Sequence, residues 1–279
     1  MKKVINIIVA TVSLIILTYY TYQTYINAKK LESINKTYYE AQTDIGELIK
    51  IKFSKILSTL SFGTLKSKES KEAKLNELKA KQIVLQEQTK KDIIILASIS
   101  AGIVLLYFVL DLATYTLLLG LSSLVTLLFG VFTPILLIVI HKYIDYLGDI
   151  ILSYESKTIA GTITHLYESQ NYPVAITILL FSIITPLIKT LTMITIALLK
   201  EFHLAKKLSN LFKYLGKWSM LDVFVVSLLL VYLSMGSSQN SYSKIENGLY
   251  IFLIYVILSI LTSLAVEKLL NKKIIYSKE

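Results

Sequence analysis

The chain has 279 residues, of which 54% are hydrophobic and only 17% charged, whereas soluble domains usually carry about a quarter charged residues. An uncharged run extends over Leu112–Ile140, a length that favours membrane insertion. The chain contains no cysteine, which excludes disulfides, thiolate metal sites and cysteine nucleophiles. All 29 basic residues are lysine. The net charge of +10 therefore indicates membrane orientation rather than nucleic-acid recognition, for which arginine is better suited.

Six segments are apolar over the roughly 20 residues that a helix needs to cross the hydrocarbon core. They are Val4–Tyr25, Ile93–Leu110, Leu117–Ile140, Pro173–Leu199, Ser219–Met235 and Leu249–Val266. The first follows Lys2 and Lys3 as in a secretory signal, but no A-x-A cleavage pattern comes after it, so we expect a retained anchor. The sequence predicts an all-α, polytopic bundle of about six transmembrane helices. The count depends on whether the short connection Asp111–Thr116 is a turn.

Lysines are concentrated in two of the polar segments. Residues 200–217 carry five lysines against the single acid Glu201, and four more lysines follow the last span. Residues 142–172 carry two lysines and four acids. Because basic loops stay on the cytoplasmic side, six spans place both basic segments and both chain termini in the cytoplasm.

Residues 26–91 have a different composition, rich in lysine and acids and without proline. Apolar residues recur there at helical spacing, before and after a break at Ser61–Thr64; they are Leu31, Ile34, Tyr38, Ile45, Leu48, Leu75, Leu78 and Leu85. One apolar stripe on each arm predicts an antiparallel helical hairpin outside the membrane. The chain then divides into an anchor (1–25), the hairpin (26–91) and a transmembrane module (92–279). The hairpin is either a solvated spacer or a docking arm for a partner, and both readings stay open.

No pattern in the sequence indicates an enzyme. The three histidines are scattered without the spacing of metal ligands, and no phosphate-binding loop or hydrolase motif occurs. We therefore expect no catalytic residue, metal or cofactor.

Two charged residues lie within predicted spans. Lys189 interrupts Pro173–Leu199 well inside the apolar run, and Asp222 lies about one turn into the fifth span, after Trp218, Ser219 and Met220. A central lysine costs about 2.5–3.5 kcal/mol on insertion scales, so it should face the bundle and have a partner. We predict a contact between Lys189 and Asp222. Alternatively, Asp222 borders its helix at the headgroups and Lys189 extends to the cytoplasmic surface independently.

Two prolines also fall in predicted spans. Pro186 has no N–H and so frees the carbonyl of Ser182, which the side chains of Ser182 and Thr185 could satisfy. The expected kink is either a hinge or a packing bend. Pro134 is expected to bend the third span in the same way.

Three runs of residues, Lys157–Leu166, Phe181–Lys189 and Lys217–Val226, resemble the paraquat-inducible protein A family in order and spacing. The similarity extends over roughly residues 130–266. It implies that the polar and packing residues of the site are Pro186, Lys189, Trp218, Ser219 and Asp222. The better-studied members have two such membrane modules and cysteine-rich zinc ribbons. This chain has one module and no cysteine, so the zinc sites are not implied.

The resemblance implies a bacterial inner-membrane protein that works with a periplasmic MCE-domain protein in lipid transport. The expected function is to pass phospholipid or another amphiphile between the inner membrane and that partner, with membrane lipids as ligands and no nucleic acid. Lys189 would be the phosphate partner, and Asp222 would orient it. Two alternatives remain at this point: a small-solute or proton-coupled transporter, and a structural or signalling membrane anchor.

Overall fold

The computed structural model describes residues 2–43, 69–144, 148–198 and 241–276. Within these ranges the helices are α1 (Lys2–Thr43), α2 (Glu69–Leu105), α3 (Leu112–Phe132), α4 (Ile159–Glu168), α5 (Tyr172–Leu179), α6 (Thr185–Leu198) and α7 (Asn247–Tyr276). The strands are β1 (Leu136–Ile144), β2 (Gly148–Lys157) and β3 (Ser241–Ile245), and short turns of other helix types occur at Leu106–Phe108 (3₁₀) and Leu180–Ile184 (π).

Five helical stretches in the described ranges are long and apolar enough to cross a membrane: Lys2–Glu40, Ala73–Phe108, Leu112–Phe132, Tyr172–Leu198 and Asn247–Asn271. The prediction of a polytopic, helical membrane protein is confirmed. The sixth predicted span, Ser219–Met235, lies outside the described residues.

α1 and α2 are each one continuous helix from the predicted membrane span into the predicted hairpin. They pack antiparallel, since Asn27 Nδ2 donates to Asp92 Oδ2 at 2.7 Å and Gln82 Nε2 donates to Asn35 Oδ1 at 2.8 Å. The predicted domain boundaries at residues 25 and 91 thus fall inside helices, and the three-part division stays a prediction. The expected tip of the hairpin, with its break at residues 61–64, lies outside the described residues.

The connection between the second and third spans is a turn that ends on Asp111. The Asp111 carboxylate accepts hydrogen bonds from the backbone N–H and the hydroxyl of Thr114, at 3.2 and 2.8 Å. It therefore acts as the N-cap of α3, satisfying a donor that has no partner within the helix. Asn6 Nδ2 of α1 donates to the same carboxylate at 3.0 Å. α3 consequently begins at Leu112, five residues before the predicted start of the span.

Replacing Asp111 with alanine should lower the free energy of unfolding by about 1 kcal/mol, because α3 loses its cap. Thermal unfolding of the purified protein in detergent measures this change. Asp111→Asn keeps an N-capping oxygen and should retain most of the stability. Equal destabilisation by the two substitutions would contradict the capping role.

The third span is shorter than predicted, and Pro134 does not bend it. α3 ends at Phe132, and Thr133 has an extended conformation (φ −84°, ψ 142°), as expected for a residue that precedes proline. Residues 136–140, predicted to be the end of the span, belong to β1 instead. Pro134 is therefore a helix terminator, which corrects the prediction of a bent third span.

β1 is the centre of a three-stranded antiparallel sheet that the sequence analysis did not predict. β1 pairs with β2 from Leu136 opposite Lys157, with a bulge after Ile140, and with β3 from Leu136 opposite Ile245. The sheet follows directly from the end of α3 and leads into the start of α7. Tyr154 of β2 stacks on Tyr39 of α1, with ring centroids 4.8 Å apart. The sheet therefore lies at the same end of the bundle as the parts of α1 and α2 that continue beyond the predicted membrane spans.

α3 is the central helix of the membrane part and packs against α1, α6 and α7. A Cβ atom on Gly120 would meet Ile194 and Thr262, whereas one on Gly130 would meet Phe252. These two contacts make α7 antiparallel to α3. α6 is also antiparallel to α3, because Leu187 packs in the cluster that contains Leu127 and Val131, whereas Ile194 lies at Gly120. As a result, the chain leaves α6 at the end of the bundle opposite to the sheet and enters β3 within the sheet.

Gly248 lies in the first turn of α7, pressed against the end of α3. Its N–H donates to the carbonyl oxygen of Pro134 at 2.7 Å. A Cβ atom at this position would lie 2.6 Å from the same oxygen and would also overlap the carbonyl of Thr133. The approach is possible only because glycine has no side chain.

A buried carboxyl, Glu246, lies where the sheet meets α1 and α2. Its Oε1 accepts a hydrogen bond from Asn35 Nδ2 at 3.3 Å, and Asn35 in turn accepts one from Gln82. Burial raises the pKa of Glu246 most, and the nearby carboxylate of Glu32 raises it further. These two effects outweigh the opposing effect of Lys244, and the pKa of Glu246 is about 7. One group that titrates near neutral pH therefore connects three elements.

Candidate intramembrane polar site

Lys189 is a buried cation in the middle of a membrane span. It lies in α6, and its side chain is only 2% exposed, within the 27-residue apolar stretch Tyr172–Leu198. Because an ammonium group is costly in lipid, it is expected to face the protein interior. The structure places it there. Its predicted partner, Asp222, lies outside the described residues, so the contact between the two stays a prediction.

Buried side chains with hydroxyl groups lie inside the bundle at about the same depth in the membrane as Lys189. Those that are fully buried come from three helices, and together with Lys189 we call them the polar layer: Ser122, Ser123 and Thr126 of α3, Thr190 of α6, and Ser259 and Thr262 of α7. The contact of Gly120 with Ile194 and Thr262 aligns the three helices. At 1.5 Å per residue, all members of the polar layer then lie within about 9 Å along the bundle axis.

Three hydroxyls of the polar layer have unused hydrogen-bonding capacity. Ser123, Thr126 and Thr262 donate to backbone carbonyls one turn earlier in their own helices. The hydroxyls of Ser122, Thr190 and Ser259 are buried and have no hydrogen-bond partner within the described part of the chain. A buried polar group left without a partner costs about 1–3 kcal/mol. The polar layer can therefore donate hydrogen bonds to an anionic or polar group that enters it.

The helix is distorted directly before Pro186. Thr185 N–H donates to the carbonyl of Leu180, five residues earlier, which defines a π-helical turn over Leu180–Ile184. Such turns occur frequently at functional sites. Ser182 and Pro186 are buried, whereas Thr185 is only partly buried. The distortion lies one turn from Lys189.

The other predicted site residues fall into two groups. Pro134 lies at the junction of the helices and the sheet, apart from the polar layer, and accepts a hydrogen bond from Gly248. Trp218, Ser219 and Met220 lie outside the described residues, as does Asp222. Among the described residues, no group of three or more His, Asp or Glu side chains could hold a metal ion.

Sequence reasoning missed the serines and threonines of α3 and α7. A weak signal was present, because small and hydroxyl-bearing residues within an apolar span often mark close contacts between membrane helices. Gly120 and Ser123 are such residues in α3, three positions apart, and Ser259 and Ser263 are such residues in α7, four positions apart. The signal does not reveal that these residues lie at the level of Lys189, which depends on the packing of the three helices.

Comparison with known proteins finds similarity over the part of the chain that contains Lys189 and the polar layer. The sequence profile of the family described as Paraquat-inducible protein A matches residues 113–274, more than half of the chain. Over 135 residues the chain is 30% identical to the intermembrane transport protein PqiA of Escherichia coli strain K12, and equally to that of Shigella flexneri. The alignment covers 44% of this chain and 30% of each relative, so the chain spans under a third of the length of these curated relatives. No solved structure matches it.

Proposed function

Because this chain belongs to the paraquat-inducible protein A family, we propose that it transports a phospholipid or another amphiphile between the bacterial inner membrane and a periplasmic MCE-domain partner. The name of the matched relatives, intermembrane transport protein, supports a transport role for the shared module. The observation that carries the proposal is the burial of Lys189 at the level of three hydroxyls, those of Ser122, Thr190 and Ser259, that have no hydrogen-bond partner within the described ranges. No covalent chemistry is required.

Lys189 provides the charge that recognises the transported molecule. A phosphate group that leaves the headgroup region must exchange water for other donors, since unpaired charges are costly in lipid. The Lys189 ammonium and the hydroxyls of Ser122, Thr190 and Ser259 supply such donors at one level. In this proposal Asp222 orients the ammonium, and the distortion before Pro186 lets α6 move aside to admit the molecule.

The orientation follows from the lysine-rich segments. α1 begins and α7 ends at the end of the bundle opposite to the sheet. With residues 200–217 and both termini in the cytoplasm, the sheet faces the periplasm, together with the parts of α1 and α2 that continue beyond the predicted membrane spans. An MCE-domain partner would bind at this periplasmic end of the bundle. The hairpin would serve as its docking arm or as a spacer beside it.

Lys189→Met tests the proposal, because methionine has a similar volume but no charge. We expect the rate of phospholipid transfer from proteoliposomes to the purified partner to fall at least tenfold, about 1.4 kcal/mol in free energy. Lys142→Met, an exposed lysine of β1, is the matched control and should transfer at the unaltered rate. Transfer at that rate by a folded Lys189→Met protein would disprove the role of Lys189. Substrate-dependent proton flux without a partner would instead favour a proton-coupled transporter.

A further inference from the structure

A polar groove separates α1 from β2. It has a volume of about 660 Å³. From α1, two lysines and two glutamates line it in alternation: Lys29, Glu32, Lys36 and Glu40. From β2 it is lined by residues 152–156, which include the partly exposed Leu152. It is separate from the polar layer, which lies within the membrane.

The end of the groove beside Lys29 lies at the level of the lipid headgroups. Lys29 is the first charged residue after the uncharged run 4–28 of α1, and it follows Tyr25 by four residues, about 6 Å along a helix. Tyrosines are typical of the membrane–water interface. The headgroup layer on each side of the hydrocarbon core is about 5–8 Å thick. A headgroup can therefore enter the groove beside Lys29, and the groove continues away from the bilayer toward Glu40.

The charges in the groove match a headgroup that carries both signs. Lys29 pairs with Glu32 at 2.8 Å, and Lys36 pairs with Glu40 at 3.8 Å. Such partly exposed pairs contribute only about 0–1 kcal/mol, so a ligand can replace one partner with little loss. A phosphate would take the lysines and an ammonium group would take the glutamates. A purely anionic ligand would meet both glutamates and also Glu155, which lines the same groove.

We propose that this groove binds the zwitterionic headgroup of phosphatidylethanolamine, with the phosphate at Lys29 or Lys36 and the ammonium at Glu32 or Glu40. The inference rests on the proposed lipid-transport function and adds a headgroup site outside the membrane. The site selects for an ammonium group, whereas the polar layer with Lys189 selects for a negative charge.

Photocrosslinking of the full chain in nanodiscs tests the site. A benzophenone residue replaces Ser33, which lines the groove, and the nanodiscs contain equal amounts of phosphatidylethanolamine and phosphatidylglycerol. Mass spectrometry should show adducts of phosphatidylethanolamine at least fivefold over phosphatidylglycerol. Lys29→Gln and Lys36→Gln should each reduce this capture at least fivefold. Lys30→Gln removes an adjacent lysine that does not line the groove, and it should leave capture unchanged.

Three outcomes would overturn the site: capture of the two lipids in equal amounts, capture of protein instead of lipid, or an equal loss with Lys30→Gln. Lipid transfer to an MCE-domain partner is measured on the same preparations. Selective capture without any transfer would leave the groove assigned and refute the proposed function. Transfer without selective capture would refute the groove alone.

Discussion

Replacing Glu246 with glutamine is expected to stabilise the protein at pH 8 by about 3 kcal/mol and to remove most of its pH dependence between pH 5 and 7. The carboxyl is buried, and its pKa rises from the ordinary 4.5 to about 7, first through burial and then through Glu32, against the effects of Lys244, Asn35 and Lys29. Glutamine has no charge to bury. Its side-chain carbonyl can still accept the hydrogen bond from Asn35.

The direction of the pH effect follows from proton binding. Between about pH 4.5 and 7 the folded protein keeps the proton on Glu246, whereas the unfolded chain releases it. The folded state therefore binds more protons, and the free energy of unfolding falls as the pH rises through this range. The loss is complete above about pH 7. Unfolding midpoints in detergent from pH 5 to 8 measure it for both proteins.

Glu155→Gln is the matched control, since Glu155 is a half-exposed carboxylate of β2. It should not reproduce the stabilisation at pH 8, because a half-exposed carboxylate is not buried as Glu246 is. Parallel pH profiles for Glu246→Gln and the unaltered protein would show that the carboxyl is hydrated in the folded state. They would contradict its burial where the sheet meets α1 and α2.

Gly248→Ala is expected to destabilise the protein by about 3 kcal/mol, the upper end of the range for overpacking. The added methyl group would overlap two carbonyl oxygens, those of Thr133 and Pro134. Neither can move away easily, because Thr133 is the C-cap of α3 and the Pro134 oxygen already accepts the Gly248 N–H. The junction of α3, β1 and α7 would have to open. Thermal unfolding in detergent and the yield of inserted protein measure the effect.

Gly102→Ala provides the comparison. Gly102 lies in α2, and a Cβ atom there would meet nothing within 4 Å. Alanine in an open helix interior should be neutral or stabilising by about 0.5–1 kcal/mol. A Gly248→Ala protein that unfolds at the same temperature as Gly102→Ala would contradict the close contact at the start of α7.

The membrane spans could be predicted from sequence because hydropathy reports directly on transfer into lipid. It does not report where a helix ends. α1 passes from uncharged residues to Lys29 without changing its conformation, so the membrane boundary and the helix boundary differ. The apolar run Leu136–Ile140 continues the hydropathy of α3, although it forms a strand. The informative signal was Pro134, which disfavours helical conformation in the residue before it.

The candidate site could be predicted only in part, for a similar reason. Lys189 stands out in the sequence because a charge in an apolar run is rare. Ser122 and Ser259 do not stand out, since serines are common in membrane helices. What distinguishes them is that they have no hydrogen-bond partner among the residues that the structure describes, and this depends on the packing of three helices. The junction around Glu246 likewise depends on Asn35 and Gln82, which are far away in sequence.

The continuity of α1 and α2 has a mechanical consequence. A helix without a break is stiff over lengths such as these, so each acts as a lever with one arm in the lipid and the other in water. If a partner or a lipid pushed the part of either helix outside the membrane sideways, the part inside the membrane would move in the opposite direction. Because α1 packs on α3, such a movement would press on the helix that carries Ser122 and Ser123.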